Sequence, residues 1–139
     1  IGYVPQRIML SETSIKNNII FGVEKSKIDE KKLNFVLNLS QLDNFIKDIG
    51  GIDKKINELG KNISGGQIQR IGIARALYND PEILILDEST NNLDKETEEN
   101  FIKSVKKISE NKTVIIISHD TKPLEICDEI YEINEISES

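Results

Sequence analysis

A single cysteine, Cys127, occurs in this chain. No internal disulfide can therefore staple it, and it is compatible with a reducing cytosol. A lone thiol of this kind packs as a small apolar group more often than it reacts. No apolar run approaches the roughly 20 residues that a membrane-spanning helix needs; the longest, such as Val114–Ile117, suit strands. No signal peptide is visible. The first residue is Ile1, inside what reads as a strand, so the sequence is expected to be a piece of a longer protein. Basic residues are in deficit: 18 Lys and Arg against 24 Asp and Glu give a net charge of −6. That argues against a nucleic-acid partner, whose phosphates call for a basic face. Internal repeats and low-complexity linkers are lacking too. What is present, 139 residues with 37% hydrophobic and 30% charged content, suffices for one modest domain with an ordinary charged surface.

Two stretches carry chemistry. In Asn62-Ile63-Ser64-Gly65-Gly66-Gln67-Ile68-Gln69-Arg70, Ser64 is placed to cap a helix and Gln67, three residues on, completes a capping-box pattern. Gly65 and Gly66 lack a Cβ, so the backbone there can approach a ligand closely. The unpaired first amides and the helix dipole make such a start an anion site. Taken alone, the same residues are equally an ordinary capped helix. The second stretch, Ile83-Leu84-Ile85-Leu86-Asp87-Glu88, follows Asp80-Pro81 and reads as a strand buried on both faces that ends in two carboxylates. Ligands of open α/β sheets sit beyond the carboxyl ends of strands. Asp87 there can hold Mg²⁺ directly or through water, and Glu88 can polarise an attacking water. In isolation, an Asp-Glu pair is as readily two solvated acids in a loop.

Read together and in order, these stretches resemble ABC-type ATPases. Ile63-Ser64-Gly65-Gly66-Gln67 is similar to that family's signature motif and Ile83–Glu88 to its Walker B strand. Tyr3-Val4-Pro5-Gln6 resembles the Q-loop, Asn91-Asn92-Leu93-Asp94 the D-loop, and Ile117-Ser118-His119-Asp120 the switch-histidine loop. Where Ser89 stands the family commonly has Ala, and where Asn91-Asn92 stand it has Ser-Ala; the departures touch fine geometry. The resemblance implies an α/β fold: a partial P-loop NTPase (RecA-like) core with a parallel sheet and an inserted ABC helical subdomain. Residues 1–6 would be a core strand and the Q-loop, 7–80 the helical subdomain with the signature motif, and 81–139 the C-terminal part of the core.

Between the motifs the chain reads as helices and strands. Ser14 is placed to cap a short helix that Gly22 ends. The segment from Met9 to Gly22 resembles the stretch after the Q-loop of exporter-type members, where a hydrophobic patch receives coupling helices from the membrane domain. A core-facing helix is the other reading. Asp29–Leu39 has amphipathic spacing through Leu33, Val36, Leu37 and Leu39, and Leu42–Ile49 is a second helical stretch ended by Gly50-Gly51. Ile56-Asn57-Glu58-Leu59-Gly60 resembles the exporter X-loop, with Asn57 where the family usually has a left-handed glycine. A helix from Gly65 to about Tyr78 puts Ile68, Ile71, Ala74 and Leu77 on its core face. Another from Asp94 to about Glu110 has its inner stripe at Phe101, Ile102, Val105 and Ile108, with acids early and lysines late, as the macrodipole favours. Thr113–Ile117 reads as a second buried strand, and Lys122–Tyr131 as a short helix followed by a strand. The acidic tail after Ile136 is expected to be solvated.

By resemblance, Glu88, His119 and Gln6 are the catalytic residues, with Asp87 and Gln6 at the Mg²⁺. His119 is the chain's one histidine. A lone histidine is more often structural, but a place at a strand's carboxyl end favours a functional one. Ser64, Gly65, Gly66 and Gln67 would close over ATP bound to a partner domain, and Asp94 would link the two sites while capping the next helix. The phosphate-holding motif G-x-x-x-x-G-K-[ST] is missing; Gly60-Lys61-Asn62 lacks both its upstream glycine and its hydroxyl. The resemblance therefore implies the second part of an ATPase domain. Its cofactors are ATP and Mg²⁺, and its partners a second nucleotide-binding domain, identical or different, and the transmembrane domains of an exporter or flippase. Its place is the cytoplasmic face of the cell (inner) membrane, and it is inactive in isolation. A soluble ABC-type ATPase of chromosome maintenance, repair or translation is the alternative, and a non-catalytic heterodimer partner a third reading.

Overall fold

The computed structural model describes residues 1–59, 63–90, 93 and 95–133. Three parallel strands, β1 (Gly2–Val4), β2 (Ile83–Asp87) and β3 (Thr113–Ile117), form one sheet in the order β1-β2-β3. Between β1 and β2 run α1 (Ile15–Ile19), a short 3-10 turn (Lys25–Lys27), α2 (Glu30–Leu39), α3 (Asp43–Asp48), α4 (Ile56–Leu59) and α5 (Gly65–Tyr78). Helix α6 (Lys95–Ser109) joins β2 to β3, and α7 (Thr121–Leu124) follows β3. This is the α/β architecture with a parallel sheet and an inserted set of helices that the sequence predicts.

The helices start where side chains can satisfy their free amides. Ser14 caps α1 through Asn17 N–H, Asp29 caps α2 through the amides of Lys31 and Lys32, and Ser64 caps α5. Gly22, with φ 80°, turns the chain after α1. Register aligns Gly2, Leu84 and Val114 across the sheet, and likewise Val4, Leu86 and Ile116. These share one face, on which Val4, Leu84 and Leu86 are wholly buried. Helix α5 lies against β1, and α6 against β3 and α5. Ile71, Ile73, Ala74 and Leu77 of α5 and Phe101, Val105 and Ile108 of α6 complete this core with Leu33 and Val36 of α2 and Leu42 just before α3.

Several expectations are corrected. Strand β2 is buried on one face only; Ile83 and Ile85, on the other, are half-covered. Strand β3 is not a buried strand: Ile115 is 46% and Ile117 49% exposed, because among the described residues α6 packs against it from the other side. Residues after α7 form no strand among those described. Asn57 lies within the single helical turn of α4 and not at a left-handed turn. Ile68 and Ile102 are only partly buried, whereas Ile73 and Tyr78, which the simple stripe omits, are core. Asn91, Asn92, Asp94 and the tail after Ile136 lie outside the described residues, as does the side chain of Glu58.

Candidate functional site

Parallel strands point their carboxyl ends to one edge of the sheet, so adjacency here converts three distant sequence positions into neighbours. Val4 pairs with Leu86, and Asp87 with Ile117. The residues just past these ends, Gln6, Glu88 and His119, therefore share that edge, and Gln6 and His119 are exposed on it.

Glu88 is held tightly. Its amide donates to Ile117 O at 2.9 Å, extending the β2–β3 pairing one residue past the strand. Its φ is 47°, a left-handed value that costs a non-glycine residue of order 1 kcal/mol or more. The carboxylate that results is buried, with Oε1 at 3.1 Å from His119 Nε2, while the His119 side chain is 95% exposed. Glu88 Oε2 is buried with no hydrogen-bond partner. An unpaired buried carboxylate oxygen is costly and is the kind of group a water or cation would satisfy.

Asp87 carries a contact that the sequence reading misses. Tyr3 and Asp87 project from the same sheet face, and Tyr3 Oη donates to Asp87 Oδ2 at 2.6 Å. That hydrogen bond, with the nearby negative charge, raises the phenol pKa above its ordinary 10.0. A carboxylate has about four lone-pair positions, so this bond leaves Asp87 able to meet a cation as well. Among the described residues no three His, Cys, Asp or Glu side chains gather into a metal cage. Asp87, with lone pairs to spare, fits Mg²⁺, which takes one or two carboxylates plus waters and substrate phosphates.

The glycine-rich start of α5 is a complete capping box. Ser64 Oγ accepts from Gln67 N–H at 3.2 Å, and Gln67 Oε1 accepts from Ser64 N–H at 2.8 Å. Ser64 and Gly65 are exposed, and the hydroxyl that accepts still has its own proton to donate. Gly66 differs from expectation. It is buried, and a Cβ there would run into Thr97 Cγ2 of α6. Its bareness serves the approach of two helices, while Gly65 keeps the open backbone. One turn further on, Gln69 is buried and its Nε2 donates to Ser89 O at 2.7 Å. The sequence signal for Gln69 is its place four residues before buried Ile73, a polar residue on a core face. Tyr3 has no comparable signal, since only strand pairing brings it to Asp87.

Comparison with known proteins gives a consistent answer. A family model described as ABC transporter matches residues 1–91. A putative export ATP-binding/permease protein of Rickettsia bellii is 40% identical over 131 residues, 94% of this chain and 22% of the relative. ATP-dependent lipid A-core flippase 2 of Colwellia psychrerythraea is 37% identical over 133 residues, 95% of this chain and 23% of the relative. The solved structure of a bacterial Atm1-family ABC exporter with ATP bound superposes with a TM-score of 0.75 at 30% identity, over 88% of this chain and 22% of that one. The chain thus spans less than a quarter of the length of the relatives it matches.

Proposed function

This chain belongs to the ABC transporter family, and from that premise we propose that it supplies part of the ATP-hydrolysing machinery of an exporter or flippase. The observation that carries the reading is the convergence at one sheet edge of Gln6, Asp87, Glu88 and His119, with Glu88 and His119 in contact at 3.1 Å.

The roles are those the resemblance implies, and the Glu88–His119 contact supports them. Glu88, fixed by its backbone bond to β3, accepts the proton of the attacking water, and its Oε2, buried without a partner, is left free for a proton. His119, solvent-facing and touching Glu88, contacts the γ-phosphate and holds the water and Glu88 in line. Asp87 and Gln6 would hold Mg²⁺, which would supply charge neutralisation to the nucleotide's phosphates. Ser64 and Gly65 engage the γ-phosphate of ATP held by a second nucleotide-binding domain, using the free first amides and dipole of α5, with Gln67 fixing Ser64 in the capping box and Gly66 letting α6 pack behind them. Asp94 joins the two sites. On this reading residues 1–6 and 81–139 belong to the ATPase core and 7–80 to the helical subdomain, although Gln69 and Thr97 tie the two closely.

Transmembrane domains are the second class of partner. Met9, 86% exposed, and Phe21, 69% exposed, are apolar side chains after Gln6 that a coupling helix would meet. The site then lies at the cytoplasmic face of the cell membrane. The 139 residues contain no G-x-x-x-x-G-K-[ST] motif, so by themselves they hydrolyse little or no ATP. The alternative of a soluble ABC-type ATPase gains no support from relatives whose names describe export and flipping.

The test is Glu88→Gln in the exporter protein that contains these residues. Hydrolysis should fall by about 10²-fold or more, with ATP retained between paired domains. Unchanged turnover would remove Glu88 from the mechanism and with it this reading.

A further inference from the structure

Within one chain the two halves of the proposed chemistry face different nucleotides. The α5 start addresses a partner's ATP, and Glu88 serves the chain's own. One contact joins them, and a second sets α5 against α6. Gln69, one turn into α5 and 6% exposed, donates from Nε2 to Ser89 O at 2.7 Å, a buried bond spanning 20 residues of sequence. Gly66, next to the exposed Gly65, lies so close to Thr97 that no side chain fits between α5 and α6. Ser89 is covalently next to Glu88, whose amide is bonded to Ile117 O and whose Oε1 meets His119. The connected path runs from Ser64 and Gly66 through Gln69 to Ser89, Glu88 and His119.

We infer that Gln69 is a positioning residue: it transmits engagement of the partner's nucleotide at the start of α5 to the carboxylate of Glu88 in the chain's own site. The inference rests on the ATPase reading above. The acceptor is a backbone carbonyl, so the link does not depend on which side chain stands at position 89. A short buried bond to the residue flanking a strained Glu88 passes a small shift of α5 directly to the carboxylate, since packed interiors yield little.

The experiment uses the exporter protein that contains these residues, in lipid vesicles, with hydrolysis and retained ATP as readouts. Gln69→Met keeps length and apolar stem but cannot donate. Its kcat should fall about tenfold with KM for ATP changed less than about twofold. Retention of ATP in the Glu88→Gln background should be unaltered, because the α5 start is intact. Gln69→Glu keeps the length and donates only when protonated. Its kcat relative to wild type should rise as pH is lowered from about 8 to about 6, the range a buried carboxyl reaches. A Gln69→Met kcat within about twofold of wild type would overturn the inference. So would a fall accompanied by lost ATP retention, or a flat pH ratio for Gln69→Glu; either would leave Gln69 a mere packing residue. Wild-type turnover in Glu88→Gln would instead remove the ATPase reading beneath it.

Discussion

Asp87 and Tyr3 make the pair whose chemistry can be read most directly in solution. Their hydrogen bond raises the Tyr3 phenol above 10.0, through the bond itself first and then burial and the Asp87 charge. For a group whose folded pKa is raised, the contribution to stability is present below the unfolded value and lost as pH climbs through the folded one. The stability profile should therefore decline on the alkaline side, above about pH 10, and that decline should be shallower in Tyr3→Phe. NMR of the labelled ring should show Tyr3 titrating above 10.0, and Asp87→Asn should bring it back. A Tyr3 midpoint that ignores Asp87→Asn would show that the two side chains do not meet in solution. Sequence reading reached Asp87 and Glu88 because two acids after an apolar run are visible in one dimension. It could not reach Tyr3, nor the left-handed φ of Glu88, because both arise from pairing between strands far apart in the chain.

The longest of the inserted helices, α5, shows what an element adds to its residues. Its limits, Gly65 to Tyr78, were legible from the Ser64 cap, the Gln67 box and the Asn79-Asp80-Pro81 break. Its fastening to the segment after Gln6 was not. Arg75 donates from Nε to Asn18 O at 2.7 Å, from Nη1 to Met9 O at 3.2 Å and from Nη2 to Asn18 Oδ1 at 3.2 Å. Burial pushes its pKa down, yet a guanidinium stays charged and must keep acceptors. Asn18, wholly buried, returns the favour by bonding Ser11 both ways and donating to Ser14 O. Arg75→Ala and Asn18→Ala should each cost about 2 kcal/mol, since each leaves buried groups unpaired. Because they share partners, the double variant should cost less than the sum by about 0.5–3 kcal/mol. Strict additivity in denaturant titrations would mean that the two side chains act separately. A motif scan sees Arg75 only as a basic residue in a helix; two of its three acceptors are main-chain carbonyls, which no sequence pattern marks.

At the scale of the whole chain, the least balanced feature is the outer face of the sheet. Parallel sheets are normally covered on both sides. Here α5 and α6 cover one side, while Tyr3 at 53%, Ile115 at 46% and Ile117 at 49% exposure stand on the other with Ile85 half-covered between them. Strands β1 and β3 are also the two edges of the sheet among the described residues. The sequence made β3 look buried because Val114, Ile115, Ile116 and Ile117 are all apolar, and an all-apolar strand is the mark of two-sided burial. That mark reports what the strand is suited to meet, whereas exposure reports what these 139 residues place over it. A contiguous apolar face on open edges favours association. The chain expressed as these 139 residues should therefore self-associate with rising concentration. Ile115→Thr with Ile117→Thr should return it towards a monomer, since threonine keeps the β-branched backbone preference while adding a hydroxyl. The inner face, set by Val4, Leu84 and Leu86, is untouched by either change, so the far-ultraviolet spectrum should stay as it was. Sedimentation would decide the matter: a wild-type chain that stays monomeric to several hundred micromolar, or a double variant that associates equally, would place the sticky surface elsewhere.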